Sequence, residues 1–397
     1  MCEVRDVFIV SAARTAIGSF LGALRDFTAP ELGGLAIKEA VSRARLAPEN
    51  VQEVIMGNVV SAGLGQAPAK QAAVKGGLPY NISCYAVNMV CGSGLMAVVL
   101  GAKSIQLEEK EVVVAGGMES MSRAPHLVWG LREGIKFGDV QMKDAMIFDG
   151  LWCAFENIHM GLTGEIIAER FGATREEQDL YALSSHQKAI KAIDHGYFEE
   201  EIVPVSIPQK KSEPLIFKVD EGPRRDTSLE KLAKLKPAFK KDGTVTAGNA
   251  SQLNDGAAAC VLASEEAIKT LGLAEPMARI VGWATNPVEP SLVMYAPKGA
   301  IEKVLANAGW KMEEVDLFEI NEAFSAQMVV LIKELKLDRE KVNVHGGAVA
   351  LGHPIGATGA RILTTLLYAL KHRKLKKGVA ALCLGGGDAV ALAVEMV

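Results

Sequence analysis

The stretch Asn88-Met89-Val90-Cys91-Gly92-Ser93-Gly94, followed by the apolar run of residues 95–100, decides how this chain folds. Its order predicts the end of a strand, a tight turn of small residues and then a buried helix. A cysteine at that turn lies at a helix N-terminus, where backbone N–H groups and the helix dipole favour the thiolate. The flanking glycines leave room for a substrate. Cys91 is therefore a candidate nucleophile, and the alternative is a small buried hydrophobic residue.

Working outward from Cys91, the same order of elements occurs at both ends of the chain. The first half has predicted strands at residues 7–10, 54–58 and 112–117, with helices around 32–44 and after Cys91. The second half has predicted strands at 278–281, 317–321 and 379–383, with helices around 300–308 and 361–370. Strands that alternate with helices predict βαβ units and mostly parallel sheets. The sequence thus indicates an α/β fold with two duplicated halves, against the alternative of chance similarity among α/β units.

Residues from about 123 to 250 match neither half and are less apolar. We therefore predict an N-terminal half at 1–122 that continues at 251–275, an inserted domain at 123–250 and a C-terminal half at 276–397. The insertion contains a predicted helix at 176–192. Between residues 209 and 241, ten Lys and Arg stand against five acidic residues, a local balance of +5. This balance predicts a site for phosphate groups, although most of these lysines are better explained as a solvated surface.

The bulk composition excludes several classes of protein. The net charge of -4 over 397 residues gives no global field that would recruit nucleic acid or an anionic membrane. The six cysteines are scattered, without zinc-binding spacing or a disulfide pattern, which favours a reducing compartment. We expect no cleavable signal and no membrane span, and therefore a cytoplasmic protein. Neither a Walker A motif nor a GxGxxG at a strand–helix junction is present, which disfavours nucleotide hydrolysis and NAD chemistry.

Several further motifs resemble the thiolase family, and together they cover nearly the whole chain. They are residues 88–94, Gly243-Thr244-Val245-Thr246-Ala247-Gly248-Asn249-Ala250-Ser251, Asn321-Glu322-Ala323-Phe324, Gly352-His353-Pro354-Ile355-Gly356 and Cys383-Leu384-Gly385-Gly386-Gly387. The resemblance implies the thiolase fold, with two βαβ-rich halves packed as α/β/α/β/α layers and the insertion as a coenzyme A-binding loop domain. It also implies a homotetramer or a dimer, and no cofactor, since coenzyme A thioesters are the substrates.

The resemblance implies a role for each catalytic residue. Cys91 would accept the acyl group, His353 would receive its thiol proton, and Cys383 would remove a proton from the α-carbon of acetyl-CoA. The N–H groups of Cys91 and Gly385 would form one oxyanion hole. His353 and a water held by Asn321 would form the other. Asn321 also has the simpler interpretation of a turn residue after a strand.

The resemblance also places contacts with coenzyme A, at Leu151, His159, Met160, Arg224, Ala247, Ser251, Ala323 and Phe324. Asp149-Gly150-Leu151 and His159-Met160-Gly161 are similar to the short-chain acetoacetyl-CoA thiolases. Other positions depart from the family pattern. Val293-Met294-Tyr295-Ala296-Pro297 stands where Met-Gly-x-Gly-Pro is common, which leaves the acyl preference open. The further departures are His345 in place of Asn or Glu, Lys231 in place of a serine of some relatives, and Asp388 in place of Met or Gln.

The sequence therefore predicts an acetyl-CoA C-acetyltransferase, which condenses two acetyl-CoA to acetoacetyl-CoA and CoA through an acetyl-cysteine. The alternatives are a broader-chain 3-ketoacyl-CoA thiolase, a Cys–His hydrolase and a non-catalytic acyl-CoA binding protein. His159 and Met160 disfavour the first alternative. The second would leave Cys383 without a purpose. The third would leave the whole set of Cys91, His353, Cys383 and Asn321 unexplained.

Overall fold

The computed structural model describes residues 5–210 and 212–397, so Cys2 and Lys211 lie outside the described residues. The strands are β1 Val7–Thr15, β2 Gly18–Ser19, β3 Glu53–Gly57, β4 Ser83–Val87, β5 Val112–Ser120, β6 His126–Leu127, β7 Lys143–Asp144, β8 Trp152–Cys153, β9 Ile158–His159, β10 Ile202–Val203, β11 Val205–Ile207, β12 Leu215–Phe217, β13 Asn254–Ser264, β14 Ala278–Thr285, β15 Leu317–Ile320, β16 Lys377–Leu384 and β17 Asp388–Met396. The helices are α1 Ala29–Arg43, α2 Pro68–Lys75, α3 Ser93–Gln106, α4 Met160–Phe171, α5 Arg175–Asp194, α6 Leu229–Ala233, α7 Glu265–Leu271, α8 Ala296–Ala308, α9 Ser325–Leu335, α10 Ala348–Leu351 and α11 Thr358–Arg373.

The two halves repeat one sheet topology. The strand order is β4-β3-β5-β13-β1 in the first half and β15-β16-β17-β14 in the second, so that β15 corresponds to β3 and β14 to β1. A short pairing of β1 with β14, at Phe8 opposite Arg279 and Ile9 opposite Ala278, joins the two half-sheets. The duplication predicted from the order of elements is therefore confirmed.

The prediction of mostly parallel sheets is wrong. β3 runs parallel to β4 and β5, and β15 runs parallel to β16. However, β13 is antiparallel to β5 and β1, and β17 is antiparallel to β16 and β14. In the second half the physical reason is that β17 follows β16 directly, with no crossover helix between them, whereas in the first half β13 follows the long inserted segment. In the second half the return is a glycine turn, with φ values of 94° at Gly386 and 91° at Gly387.

The helices α3 and α11 form the central layer of the molecule. Helix α3 packs on β3 and β5 and also reaches β17, whereas α11 packs on β13 and on β15 and β16. Helices α1 and α2 cover the outer face of the first sheet, and α8 covers that of the second. The predicted α/β/α/β/α layering is therefore confirmed. The two central helices touch near their N-termini, where a Cβ on Gly359 would lie 2.2 Å from the backbone nitrogen of Leu95. This close approach needs glycine, and it brings the segments before both helices together.

The segment between β5 and β13 contains α4, α5, α6 and the seven short strands β6 to β12, and it packs against the second half. Helix α5 packs against α9 and α10. The buried carboxylate of Glu322 accepts hydrogen bonds from the hydroxyl groups of Tyr181 (2.8 Å) and Ser185 (2.7 Å) of α5. It also accepts one from the backbone N–H of Val349 (3.0 Å). Within residues 5–210 and 212–397, no helix combines the length and the apolar character needed to cross a membrane.

Candidate active site

Cys91 lies in a strained turn between β4 and α3. Val90 adopts a positive φ of 46°, which is unusual for a β-branched residue. Ser93 holds the turn, because its hydroxyl donates to the carbonyl of Val90 (2.6 Å) and accepts from the N–H of Met89 (2.9 Å). The predicted strand, turn and helix are present, and Cys91 lies two residues before the first residue of α3, partly exposed.

His353 is the partner of Cys91. Its Nε2 lies 3.2 Å from Cys91 Sγ, and its Nδ1 lies 2.7 Å from the hydroxyl oxygen of Thr358. That hydroxyl donates its single proton to the carbonyl of Pro354 (2.9 Å), so it accepts from His353 Nδ1–H. The proton of the neutral imidazole is thus on Nδ1, and the Nε2 lone pair faces the cysteine. This tautomer is the one that a general base for Cys91 requires.

The expectation that Cys91 favours the thiolate is wrong for the resting site. Burial raises the pKa of Cys91 to about 12, although hydrogen bonds from the N–H groups of Gly385 and of Cys91 itself lower it, and the charge of Glu119 raises it further. Burial also lowers the pKa of His353 to about 3, assisted by the positive charge of Arg361. Desolvation therefore outweighs the helix N-terminus, and the pair rests as a neutral thiol and a neutral imidazole.

Two backbone N–H groups lie near enough to Cys91 Sγ to lower its pKa. They are the N–H of Cys91 itself and the N–H of Gly385, the pair predicted as an oxyanion hole. Gly385 begins the turn between β16 and β17, and a Cβ added there would lie 3.2 Å from a methyl group of Val90. The two turns are therefore packed against each other, and any charge that develops beside Sγ meets two fixed N–H dipoles.

Cys383 is the penultimate residue of β16, is buried and lies close enough to Cys91 for their charges to interact. Its Sγ lies 3.6 Å from Oε1 of Gln327 and 3.8 Å from Sδ of Met294. Burial raises the pKa of Cys383 far above its ordinary value, and the proximity of Cys91 raises it further. Cys383 is therefore a protonated thiol at rest, and its thiolate, once formed, is a strong base.

Asn321 follows β15 and has a fully buried side chain whose Nδ2 and Oδ1 find no partner among the residues that the structure describes. An amide buried without partners is costly, so a ligand or water beside it is the expected use. Gln327 links this residue to Cys383, because its Nε2 donates to the backbone carbonyl of Asn321 (3.2 Å) while its Oε1 faces the thiol. Sequence reasoning missed Gln327, which lies on α9 and has no motif of its own.

Glu119 is a second residue that sequence reasoning missed. Its buried carboxylate accepts hydrogen bonds from Asn58 Nδ2 (2.9 Å) and from the N–H groups of Val59 (3.0 Å), Val60 (3.3 Å) and Gly356 (3.0 Å). Burial raises its pKa to about 7 against the effect of these donors. Glu119 thus fixes the loop that carries His353 to the end of β3. The one available signal was a carboxylate at the end of an otherwise apolar strand.

Some of the residues expected to contact coenzyme A form one apolar wall. His159 stacks on Phe239 with ring centroids 4.9 Å apart, and Phe324 meets the edge of the same ring at 6.3 Å. Met160 and Ala323 belong to the same apolar cluster as Phe324. The backbone N–H of Ser251 donates to the carbonyl of Ala323 (3.0 Å).

Other residues of this set lie apart from that wall. Leu151 ends a short helical turn, Met146–Leu151, and shares an apolar cluster with Cys91. Arg224 and Ala247 line a separate cleft of about 180 Å³, together with Lys231.

The basic stretch is not one continuous patch. Arg225 pairs with Asp194, Lys231 with Asp226 (2.6 Å) and Lys240 with Glu169 (2.7 Å), as expected of a solvated surface. Arg224 differs, since its side chain makes no salt bridge with the described part of the chain, and its backbone N–H is held by Nδ1 of His186 (3.1 Å). Burial lowers the pKa of His186 to about 4, so this ring stays neutral and accepts the bond.

Comparison with known proteins gives two family matches that together span nearly the whole chain. Residues 7–266 match the description "Thiolase, N-terminal domain", and residues 274–396 match "Thiolase, C-terminal domain". The gap between the two matches, residues 267–273, covers most of α7 and ends before β14, the first strand of the second half-sheet.

Among curated proteins, the chain is 52% identical to an acetyl-CoA acetyltransferase of Pseudomonas aeruginosa over 389 residues, which is 98% of this chain and 99% of the relative. It is 53% identical to an acetyl-CoA acetyltransferase of Cupriavidus necator over 390 residues, again 98% and 99%. Among solved structures, the acetyl-CoA acetyltransferase of Bacillus anthracis superposes with a TM-score of 0.97 at 46% identity, over 99% of both chains. Human mitochondrial 3-ketoacyl-CoA thiolase gives 0.96 at 42%, over 99% of this chain and 100% of that one.

Proposed function

This chain belongs to the thiolase family, and from that premise we propose that it is an acetyl-CoA C-acetyltransferase. The reaction is the reversible condensation of two acetyl-CoA to acetoacetyl-CoA and CoA, through an acetyl group on Cys91. The observation that carries the mechanism is the 3.2 Å contact between Cys91 Sγ and the unprotonated Nε2 of His353, with a second buried thiol, Cys383, close to Cys91.

In the first half-reaction, Cys91 attacks the thioester carbonyl while its proton passes to His353 Nε2. Because both groups rest neutral, proton transfer accompanies the attack and no thiolate stands exposed beforehand. The carbonyl oxygen becomes negative beside the N–H groups of Cys91 and Gly385. The departing CoA thiolate takes the proton of Cys383. The acetyl-enzyme therefore holds an imidazolium at His353 and a thiolate at Cys383, two opposite charges whose attraction offsets the burial that disfavours each charge alone.

In the second half-reaction, the Cys383 thiolate removes an α-proton from a second acetyl-CoA. Its raised pKa makes it a strong base. The enolate oxygen is stabilised by Nε2–H of His353 and by a water held on the unpartnered amide of Asn321. The enolate carbon then attacks the acetyl group of Cys91, and the released sulfur regains its proton from His353. All protons balance without a further cofactor, and we propose none.

The first test is a chain-length series. In the thiolysis direction with EDTA present, we expect kcat/KM for acetoacetyl-CoA to exceed that for 3-ketooctanoyl-CoA by at least about tenfold, the scale on which a pocket rejects added methylenes. Acetate release should stay negligible. Equal kcat/KM values for all chain lengths would favour the broader-chain 3-ketoacyl-CoA thiolase, an alternative left open by the departure of Val293–Pro297 from the family pattern. Rapid acetate release would favour a hydrolase.

We further propose that Arg224 contacts the nucleotide part of coenzyme A, since it lines the cleft that includes Ala247 and its guanidinium has no salt bridge to residues 5–210 or 212–397. Arg224→Ala should raise the KM for acetyl-CoA about tenfold, the scale of one charge-assisted hydrogen bond, and leave the KM for acetyl-pantetheine nearly unchanged. The matched control is Arg225→Ala, because that exposed neighbour is already paired with Asp194. Equal effects on both substrates would contradict a nucleotide-facing role.

We also propose a homotetramer rather than a dimer, because two separate surfaces are uncovered. Strand β4 is an edge of the large sheet and exposes Tyr85. A second surface, in residues 129–155, has six large apolar side chains that are at least half exposed, namely Trp129, Leu131, Ile135, Phe137, Met142 and Phe155. Each surface suits self-association, and two different two-fold contacts generate a tetramer.

Phe137→Asp should convert the tetramer to dimers in light scattering after gel filtration, because it places a charge in the second surface and leaves β4 intact. The control is Leu107→Asp, which alters another strongly exposed apolar residue outside both surfaces. A wild-type chain that elutes as a dimer, or a Phe137→Asp chain that remains tetrameric, would contradict the assignment.

We propose a cytoplasmic location, since two catalytic thiols need a reducing compartment.

A further inference from the structure

The contact between Cys383 and Met294 bears on which substrates this site accepts. Met294 is almost fully buried, and its Sδ lies 3.8 Å from Cys383 Sγ. It belongs to the same apolar cluster as Ala323 and Phe324. The thiol proposed to meet the substrate α-carbon therefore has a large thioether packed against its flank.

Met294 is held firmly in that place. It lies on the short helical turn Pro290–Tyr295, whose last residue is anchored twice. The ring of Tyr295 stacks on Phe171 with centroids 4.6 Å apart, and its hydroxyl donates to Glu334 (2.7 Å). The start of the turn is seated on the glycine turn after Cys383, where a Cβ on Gly387 would lie 2.9 Å from Pro290 Cα. The backbone that carries Met294 is therefore fixed, and close packing in the apolar cluster confines its buried side chain.

We propose that Met294 makes the enzyme selective for substrates without a substituent on the α-carbon. The inference rests on the proposed function, in which Cys383 approaches that carbon. A methyl group on the α-carbon needs volume beside Sγ, and the Met294 side chain fills that volume. A methyl group added at the far end of the acyl chain lies on the part carried by Cys91, away from this contact. Met294 should therefore reject a methyl group on the α-carbon and tolerate the same group at the far end of the acyl chain.

Two isomeric substrates test the proposal, because 2-methylacetoacetyl-CoA and 3-oxopentanoyl-CoA differ only in where the extra methyl group lies. We expect wild-type kcat/KM for 2-methylacetoacetyl-CoA to be about 10- to 200-fold below that for acetoacetyl-CoA, the range for one methylene in a tight pocket. Met294→Ala should bring kcat/KM for 2-methylacetoacetyl-CoA to within a few fold of that for acetoacetyl-CoA. It should leave the ratio of kcat/KM for 3-oxopentanoyl-CoA to that for acetoacetyl-CoA unchanged. Met294→Leu, which keeps the volume and removes the sulfur, should still reject the α-methyl substrate.

The outcomes separate the proposal from the proposed function. Failure of wild-type enzyme to cleave acetoacetyl-CoA would count against the proposed function. Normal acetoacetyl-CoA cleavage with equal cleavage of the 2-methyl substrate would overturn the role of Met294. So would a Met294→Ala enzyme that gains equally on both isomers. Met294→Ala leaves a cavity in the core and so destabilises the protein, which makes a second test on the unsubstituted enzyme useful. This test compares the rates at which wild-type enzyme exchanges the α-protons of acetyl-CoA and of propanoyl-CoA with solvent, and we expect slower exchange for propanoyl-CoA. Exchange at the same rate would also overturn the proposal.

Discussion

Cys91→Ala is expected to abolish both thiolysis and condensation, with a loss on the order of 10⁶-fold, the scale found when a covalent nucleophile is removed. The side chain that accepts the acyl group is gone, and neither water nor Cys383 can replace it. Water would release free acetate and would not hold the acetyl group for transfer to a second acetyl-CoA. Cys383 is a buried thiol whose strongly raised pKa makes it a poor nucleophile at rest. The measurement is the steady-state rate, together with mass spectrometry of enzyme that is mixed with acetyl-CoA and quenched in acid.

In the wild-type enzyme the same experiment should place one acetyl group on the peptide that contains Cys91. The control is Cys84→Ala, which removes a partly exposed cysteine of β4 and should leave acetylation intact. Acetyl found on Cys383 with Cys91 unmodified would reverse the proposed roles of the two thiols. An active Cys91→Ala enzyme would remove the acetyl-cysteine from the mechanism altogether.

The local parts of this site could be predicted because their signals are local. The turn at Cys91 could be predicted from small residues that precede an apolar run. The turn after Cys383 could be predicted from three consecutive glycines, of which Gly386 and Gly387 adopt positive φ. The duplicated halves were visible because buried strands of an α/β fold are short apolar runs that recur in order. The direction of those strands was not visible, since the apolar pattern of a strand is the same in a parallel and an antiparallel pair.

The protonation states could not be predicted from the sequence, because they depend on tertiary burial. A helix N-terminus lowers a thiol pKa by a modest amount, whereas desolvation at the turn raises that of Cys91 to about 12. The supporting residues were missed for a related reason. Thr358 could be found from its place five residues after His353, but its role depends on a hydroxyl proton given to Pro354. Gln327 and Glu119 reach the site from distant segments.

Cys383→Ser is expected to separate the two half-reactions. Acyl transfer to Cys91 needs the nucleophile, His353 and the two N–H donors, and the variant retains all of these. Removal of the α-proton needs a base at position 383. A serine hydroxyl is hardly ever ionised at neutral pH, whereas an ordinary thiol has a pKa near 8.5 and exchanges its proton readily. The variant should therefore acetylate Cys91, more slowly because Cys383 also protonates the departing CoA.

Exchange of the acetyl-CoA methyl protons with deuterated solvent should fall on the order of 10²- to 10⁴-fold in Cys383→Ser, the usual contribution of a general base, and acetoacetyl-CoA formation should fall in parallel. The control is Cys260→Ser, because that buried thiol donates to the carbonyl of Ala115 (3.3 Å) and lies outside the site, so a hydroxyl can replace it. NMR of the methyl signal follows the exchange, and the acid quench follows acetylation. Condensation at near wild-type rate in Cys383→Ser would make His353 the proton acceptor for both steps. Its pKa near 3 makes it a far weaker base than a buried thiolate, so we expect a much larger loss in the second half-reaction than in acetylation of Cys91.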